Sequence, residues 1–200
     1  MARDARASYT KGARMNLWFR LIWMLITVRW RKPASLFDTT TLSMRVWLND
    51  LDANGHMNNG RYLTLADIGR IDYVLRTGSV KVAFARRARP IVGDVLAKFR
   101  RDLKPFERFE IQTRLLGWEG KWIFIEHRFV RHQRVAGIVV MRGLFRNAAG
   151  PVDPAVFLDA LNSTRESPIL PAWVREWHHG LDALTAALRI EEASASPPGR

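Results

Sequence analysis

The chain has 200 residues, 48% hydrophobic and 26% charged, which suffices for one domain with a full core plus appendages and excludes disorder except at the ends. It contains no cysteine, so disulfides, thiolate metal sites and a cysteine nucleophile are excluded, and a reducing compartment suits it. The formal net charge of +13 attracts polyanions and anionic membranes, but the Lys and Arg residues are dispersed with no zinc-finger, RNP-type or helix-turn-helix signature, so no specific nucleic-acid site is expected.

The first element is MNLWFRLIWMLITVRW, residues 15–30, preceded by Arg3, Arg6, Lys11 and Arg14. Arg20 interrupts the apolar run and no small-x-small cleavage site follows, which argues against a signal peptide, and the stretch is too short to cross a bilayer. Trp18, Trp23 and Trp30 with flanking cations are what an interfacial helix carries. Docking on the chain's own domain or on a partner subunit is the other reading. Pro33 closes the helix.

From Leu36 to Leu48, Thr39, Thr41, Ser43 and Arg45 alternate with Thr40, Leu42, Met44 and Val46, which reads as a strand. A polar stretch follows, LNDLDANGHMNNGRY, residues 48–62. Then Tyr62, Leu65, Ala66, Gly69 and Tyr73 recur at helical spacing with Leu63, Ile68, Ile71 and Leu75. Asn58 or Asn59 is the expected N-cap and Thr77-Gly78 the stop, giving a buried helix of about 18 residues. Gly69 in its middle costs helix propensity, and close approach to a sheet is the expected compensation.

Four strands are expected next, at Pro90–Arg101, Glu107–Leu116, Lys121–Arg131 and Val135–Arg146. GWEGK, residues 117–121, reads as a hairpin turn, and Arg134 or Gly137 as another. Asp153 caps a short helix with Pro154 at its first position. Pro171–Ile190 reads as a last helix broken near Gly180, and SASPPGR as a frayed tail. No internal repeat is present. The pattern predicts an α+β domain in which an antiparallel sheet wraps one long helix.

The polar stretch carries the chemistry. Asp52 falls at the end of the expected strand, Gly55 allows a tight turn, and Asn58 and Asn59 stand where the helix begins. A carboxylate beside a helix N-terminus, where free N–H groups and the dipole hold an anion, suits acyl transfer. Asp and Asn in such a loop are also common turn formers and caps.

The run DLDANGHMNNGRY, residues 50–62, followed by a long helix and a strand meander, resembles the D-x-D-x-x-G-H-x-N-N-x-x-Y signature of hotdog-fold acyl-CoA thioesterases of the 4-hydroxybenzoyl-CoA type. The likeness covers roughly residues 36–147. It implies a hotdog domain at 36–147, with a helix at 1–35, a helical extension at 148–191 and a tail at 192–200 outside it. It implies hydrolysis of an acyl-CoA or acyl-carrier-protein thioester with Asp52 as nucleophile or general base and the backbone N–H of Asn59 as oxyanion donor. Asp50 becomes a strand residue or a support for Asp52. His56 and Asn58 shape the pocket, and Tyr62 packs as the first apolar anchor of the helix. The resemblance further implies a homodimer or homotetramer with sites at the interface, and no metal or cofactor.

Arg87 and Arg89, with Lys81 and Arg86, are candidates for the CoA phosphates. The five histidines, including His178-His179, have no metal-ligand spacing. A hotdog dehydratase, which would use a histidine in another motif, is the weaker enzyme reading. A non-catalytic acyl-binding or membrane-associated hotdog module is the alternative from another class. A cytoplasmic location is expected, with docking as the first reading of residues 15–30 and peripheral membrane contact as the second.

Overall fold

The computed structural model describes residues 17–164 and 166–195. Helix α1, residues 17–27, runs into a 3-10 turn at Val28–Trp30. Strand β1 (Thr40–Arg45) leads through a 3-10 turn at Leu48–Asp50 to the long helix α2 (Asn59–Arg76) and the short α3 (Ser79–Ala85). Strands β2 (Arg89–Phe99), β3 (Arg108–Glu119), β4 (Trp122–Arg131) and β5 (Arg134–Asn147) follow, then β6 (Gly150–Val152), α4 (Pro154–Ala160) and α5 (Ala172–Ala195). The sheet is antiparallel throughout, in the order β1-β3-β4-β5-β2, with β6 added to β5.

Period-two patterning decides which face each strand gives to α2. Phe109, Ile111 and Thr113 of β3 and His127 and Phe129 of β4 are buried, as their shared face predicts. They meet Tyr62, Leu65, Ala66, Ile68, Gly69 and Tyr73, the buried face of α2. A Cβ on Gly69 would stand 2.9 Å from both Ile111 Cγ2 and Thr113 Oγ1, so the absent side chain is what lets helix and sheet approach. Asn58 caps the helix, its side chain accepting from Gly60 N, and Thr77 and Gly78 (φ 76°) end it where expected. The other face of the sheet has its own core, Leu116, Phe124 and Val140 against Leu170 and Val174.

Several boundaries differ from the sequence expectation. The first strand spans only Thr40–Arg45, because residues 48–50 coil into a 3-10 turn. Strand β3 continues through a bulge after Leu115 to Glu119, so the 117–121 turn shrinks to Gly120 and Lys121. The β4–β5 turn is His132-Gln133, both with positive φ, and Arg134 already pairs with Arg131. Helix α5 passes through Gly180 unbroken and continues past residue 191 to Ala195; residues 196–200 of the expected tail lie outside the described residues.

Helix α1 docks on this domain through one face. Leu17, Leu21, Met24 and Val28 join the core that α2 shares with the sheet. No helix among the described residues is long and apolar enough to cross a membrane.

Candidate active site

The loop from Asp50 to Asn58 is held at both ends and open in the middle. Leu51 and Met57 pair as an isolated antiparallel bridge, Met57 is inside the core, and its N–H donates to the Leu103 carbonyl at 2.8 Å. Asn58 N–H donates to the Asp50 carbonyl at 2.8 Å. Between these clamps Asp52 turns outward. Its Oδ1 accepts from Asn54 N–H at 2.9 Å, and its Oδ2 lies 3.4 Å from His56 Nδ1. Gly55, at φ 75°, closes the bend by donating to the Asp52 carbonyl. Asp52 therefore stands six residues beyond the loop's entry at Val46 rather than at a strand end, and it is partly accessible, 22% exposed.

Asn58 and Asn59 are both exposed. As the first residue of α2, Asn59 has a backbone N–H with no intrahelical acceptor, at the positive end of an 18-residue helix. Tyr62 is buried, its ring 5.0 Å from Phe99 and 4.7 Å from Phe129. Burial, followed by the charge of Asp102, pushes its hydroxyl pKa up to about 12, so it stays protonated and serves packing.

Asp50 contributes more than the sequence suggested. Its side chain is 2% exposed, in the 3-10 turn, and takes Arg20 Nη2 at 2.5 Å and the Trp47 N–H at 2.8 Å, with Arg61 Nε at 3.5 Å. Burial pulls the Arg20 guanidinium below the ordinary arginine range, and Asp50 opposes that pull. The signal for Arg20 was present in the sequence as a lone cation inside an apolar helix, on the same face as Leu17, Leu21 and Met24.

The seven predicted site residues do not all meet in one protomer. Asp52, His56, Asn58 and Asn59 share one loop, with Tyr62 a turn further on. Arg87 and Arg89 are exposed and lie at the far end of β2, whose near end, Phe99, touches Tyr62. Eleven strand residues separate the two ends, about 33 Å at the usual rise. Beside Arg89 is a mostly apolar cavity of about 470 Å³ between α2, α3 and the sheet, lined by Val74, Phe84, Ile91, Ile125 and Phe145. Among the described residues no cluster of His, Asp and Glu could hold a metal.

Residues 46–178, which include the whole Asp52 loop and every strand of the sheet after β1, match the family model of the thioesterase-like superfamily. The chain belongs to this superfamily. Protein THEM6 of Danio rerio is 29% identical over 180 residues, 88% of each chain, so the likeness to this protein reaches beyond the central domain. Thioesterase poxG of Penicillium oxalicum is 30% identical over 121 residues, 54% of this chain and 40% of its own. YbaW, a probable thioesterase of Escherichia coli, superposes with a TM-score of 0.57 at 17% identity, over 61% of this chain and 95% of its own. The fold is the hotdog fold.

Proposed function

We propose that the protein hydrolyses an acyl thioester of coenzyme A or of an acyl-carrier protein to the free acid and the thiol. The observation that carries this reading is the Asp52 carboxylate. It is partly exposed in a clamped loop that leads directly into the N-terminus of α2, within a chain of the thioesterase-like superfamily. Asp52 deprotonates a water, or attacks the thioester carbonyl itself and is released by water. The Asn59 N–H and the helix dipole hold the oxyanion as the tetrahedral carbon forms. Collapse breaks the C–S bond, and the thiolate takes up the proton. His56, 3.4 Å from Asp52, orients the carboxylate, and Asn58 fixes the loop through its cap.

A homodimer joined along β2 fits this chemistry. Among the described residues strand β2 is a free edge with Ile91, Val92, Val95 and Phe99 exposed, an arrangement that monomeric proteins avoid. Antiparallel pairing about a two-fold axis would bring the partner subunit's Arg87 and Arg89, and the apolar cavity beside them, to the Asp52 end of the first. The cavity then takes the acyl chain and the arginines take phosphate.

The test is thiol release by the full chain over acyl-CoA substrates from acetyl to stearoyl and over acyl-carrier protein. Asp52→Ala and Asp52→Asn should each lose about 10²–10⁴-fold in kcat. Wild-type turnover in Asp52→Ala would remove the carboxylate from the mechanism. A wild type that binds acyl thioesters and hydrolyses none would make the protein an acyl-binding module.

A further inference from the structure

The outward face of α1 has no partner among the described residues. Trp18, Phe19, Ile22, Trp23, Leu25 and Ile26, with Trp30 in the turn that follows, are between 43% and 70% exposed. Six large apolar side chains on one short helix and a seventh in the next turn form a patch of a kind that soluble surfaces do not leave bare. The patch extends onto the domain. A cavity of about 330 Å³ runs between α1 and β1, lined by Phe19, Trp23, Met24, Leu42, Met44 and Trp47, and Trp47 is itself exposed.

The helix cannot swing away to bury this face elsewhere without breaking one buried and one half-buried ion pair. Arg20 binds Asp50, and Arg31 Nη1 lies 2.5 Å from Oδ1 of Asp72, whose side chain is 1% exposed. Its inner face is committed to the core, which leaves its outer face uncovered among the described residues. The β1 side, where α1 docks, is also the opposite sheet edge from β2, so a dimer joined along β2 leaves the patch open.

We propose that this face seats the protein on an anionic lipid bilayer, with α1 lying in the plane of the headgroups. Tryptophan is the residue that settles at the boundary between headgroup and acyl chain, and three of the seven are tryptophan. The cations fit the same surface. Arg29 lies over the Trp30 ring, 4.1 Å from its centroid, Lys32 is exposed beside it, and Arg3, Arg6, Lys11 and Arg14 precede the helix in sequence. The net charge of +13 favours anionic lipid over a neutral protein partner.

Because Asp50 holds Arg20 two residues before Asp52, the seated helix carries the Asp52 loop close to the lipid surface. This inference does not depend on the proposed catalysis, since its readout is binding alone.

The experiment is flotation of the full chain with vesicles of phosphatidylcholine alone and with phosphatidylglycerol added, followed by the same measurement on Trp18→Ser/Trp23→Ser/Trp30→Ser. The three sites are exposed, and circular dichroism checks that the variant is folded. The wild type should float with the anionic vesicles, bind neutral ones more weakly, and keep part of its binding at high salt. The triple variant should lose about tenfold or more in partitioning. Failure of the wild type to float, or equal flotation of the folded variant, overturns the proposal. So does a wild type that ignores vesicles but forms a larger assembly which the triple substitution reduces, since the patch would then join copies of this chain.

Discussion

Arg20 and Asp50 are 30 residues apart in sequence and meet at 2.5 Å with both side chains out of water, 9% and 2% exposed. Arg20 Nη2 donates in addition to the Arg45 carbonyl at 3.0 Å. The pair thus ties together α1, the end of β1 and the loop that carries Asp52, while the Asp50 backbone carbonyl accepts from the N–H of Asn58, the residue that caps α2. The helix outside the resemblance to thioesterases is joined to the site inside it.

Breaking this pair from one side strands a buried charge. Arg20→Met leaves Asp50 with only the Trp47 N–H and the more distant Arg61, and should cost about 3–5 kcal/mol in urea melts. The double variant Arg20→Met/Asp50→Asn removes both charges and should cost less than the two single changes summed. Simple additivity in that cycle would show that the pair is not coupled.

Gly69→Ala tests the contact between helix and sheet. Alanine would improve helix propensity by about 1 kcal/mol, but its Cβ would meet Ile111 and Thr113 at 2.9 Å, with His127 Nδ1 at 3.7 Å behind them. Overpacking of this kind costs about 1–3 kcal/mol, so the clash should win and the thermal midpoint should fall. A rise in midpoint would mean that the sheet yields and that Gly69 is not the spacer.

Those two tests mark what the sequence could and could not reveal. Gly69 was legible because a glycine in an otherwise strong helical pattern needs a packing reason, and periodicity alone located α2, its cap and its stop. The Asp52 loop was legible through a motif dense in residues with special turn and capping chemistry. The Arg20–Asp50 pair was legible only from one side, because Arg20 shows as a cation on an apolar helical face while nothing in the sequence names a partner 30 residues away. The His132-Gln133 turn was hidden for a local reason, since the pair lacks the Asn-Gly or Asp-Gly signal of a two-residue hairpin and the flanking Arg131–Arg134 pairing sets it instead. The distance between Asp52 and Arg89 follows from strand order, which the pattern of strands does not fix.

His127 predicts a dependence of stability on pH. It is buried behind α2 with Thr113 Oγ1 at 3.0 Å from Nδ1, and its Nε2 has no partner among the described residues. Burial, with a smaller push from Arg70, lowers its pKa from 6.5 to about 3. Between those values the unfolded chain holds a proton on this imidazole that the native chain does not. Stability contributed here is therefore present above the unfolded value and falls as pH drops towards the native one, by up to about 1.4 kcal/mol per pH unit. His127→Gln should flatten the urea midpoint between pH 6 and pH 4 relative to wild type, whatever it costs at neutral pH. Parallel profiles for the two proteins would assign the acid sensitivity to other groups.

Arg142 explains why α5 does not break at Gly180. The guanidinium, 3% exposed and 4.2 Å from the Trp122 ring centroid, bonds Asp94 Oδ2 at 2.7 Å on β2 and reaches α5 on both sides of the glycine. It donates to His178 Nδ1 at 2.7 Å before Gly180 and to Asp182 Oδ1 at 2.8 Å after it. The hydrogen bond from Arg142 is the main cause holding the Asp182 carboxyl below its ordinary pKa, so this clamp is complete at neutral pH and weakens in acid. Arg142→Met removes the clamp and should raise amide exchange from Glu176 onward about 10–100-fold, while α2 keeps its protection. Gly180→Ala offers the complementary result. Its Cβ would meet nothing within 4 Å, so it should stabilise the helix by about 0.5–1 kcal/mol and restore part of the protection that Arg142→Met loses. If Arg142→Met leaves the exchange unchanged, the helix is held by Val174 and Leu170 in the outer core rather than by the arginine.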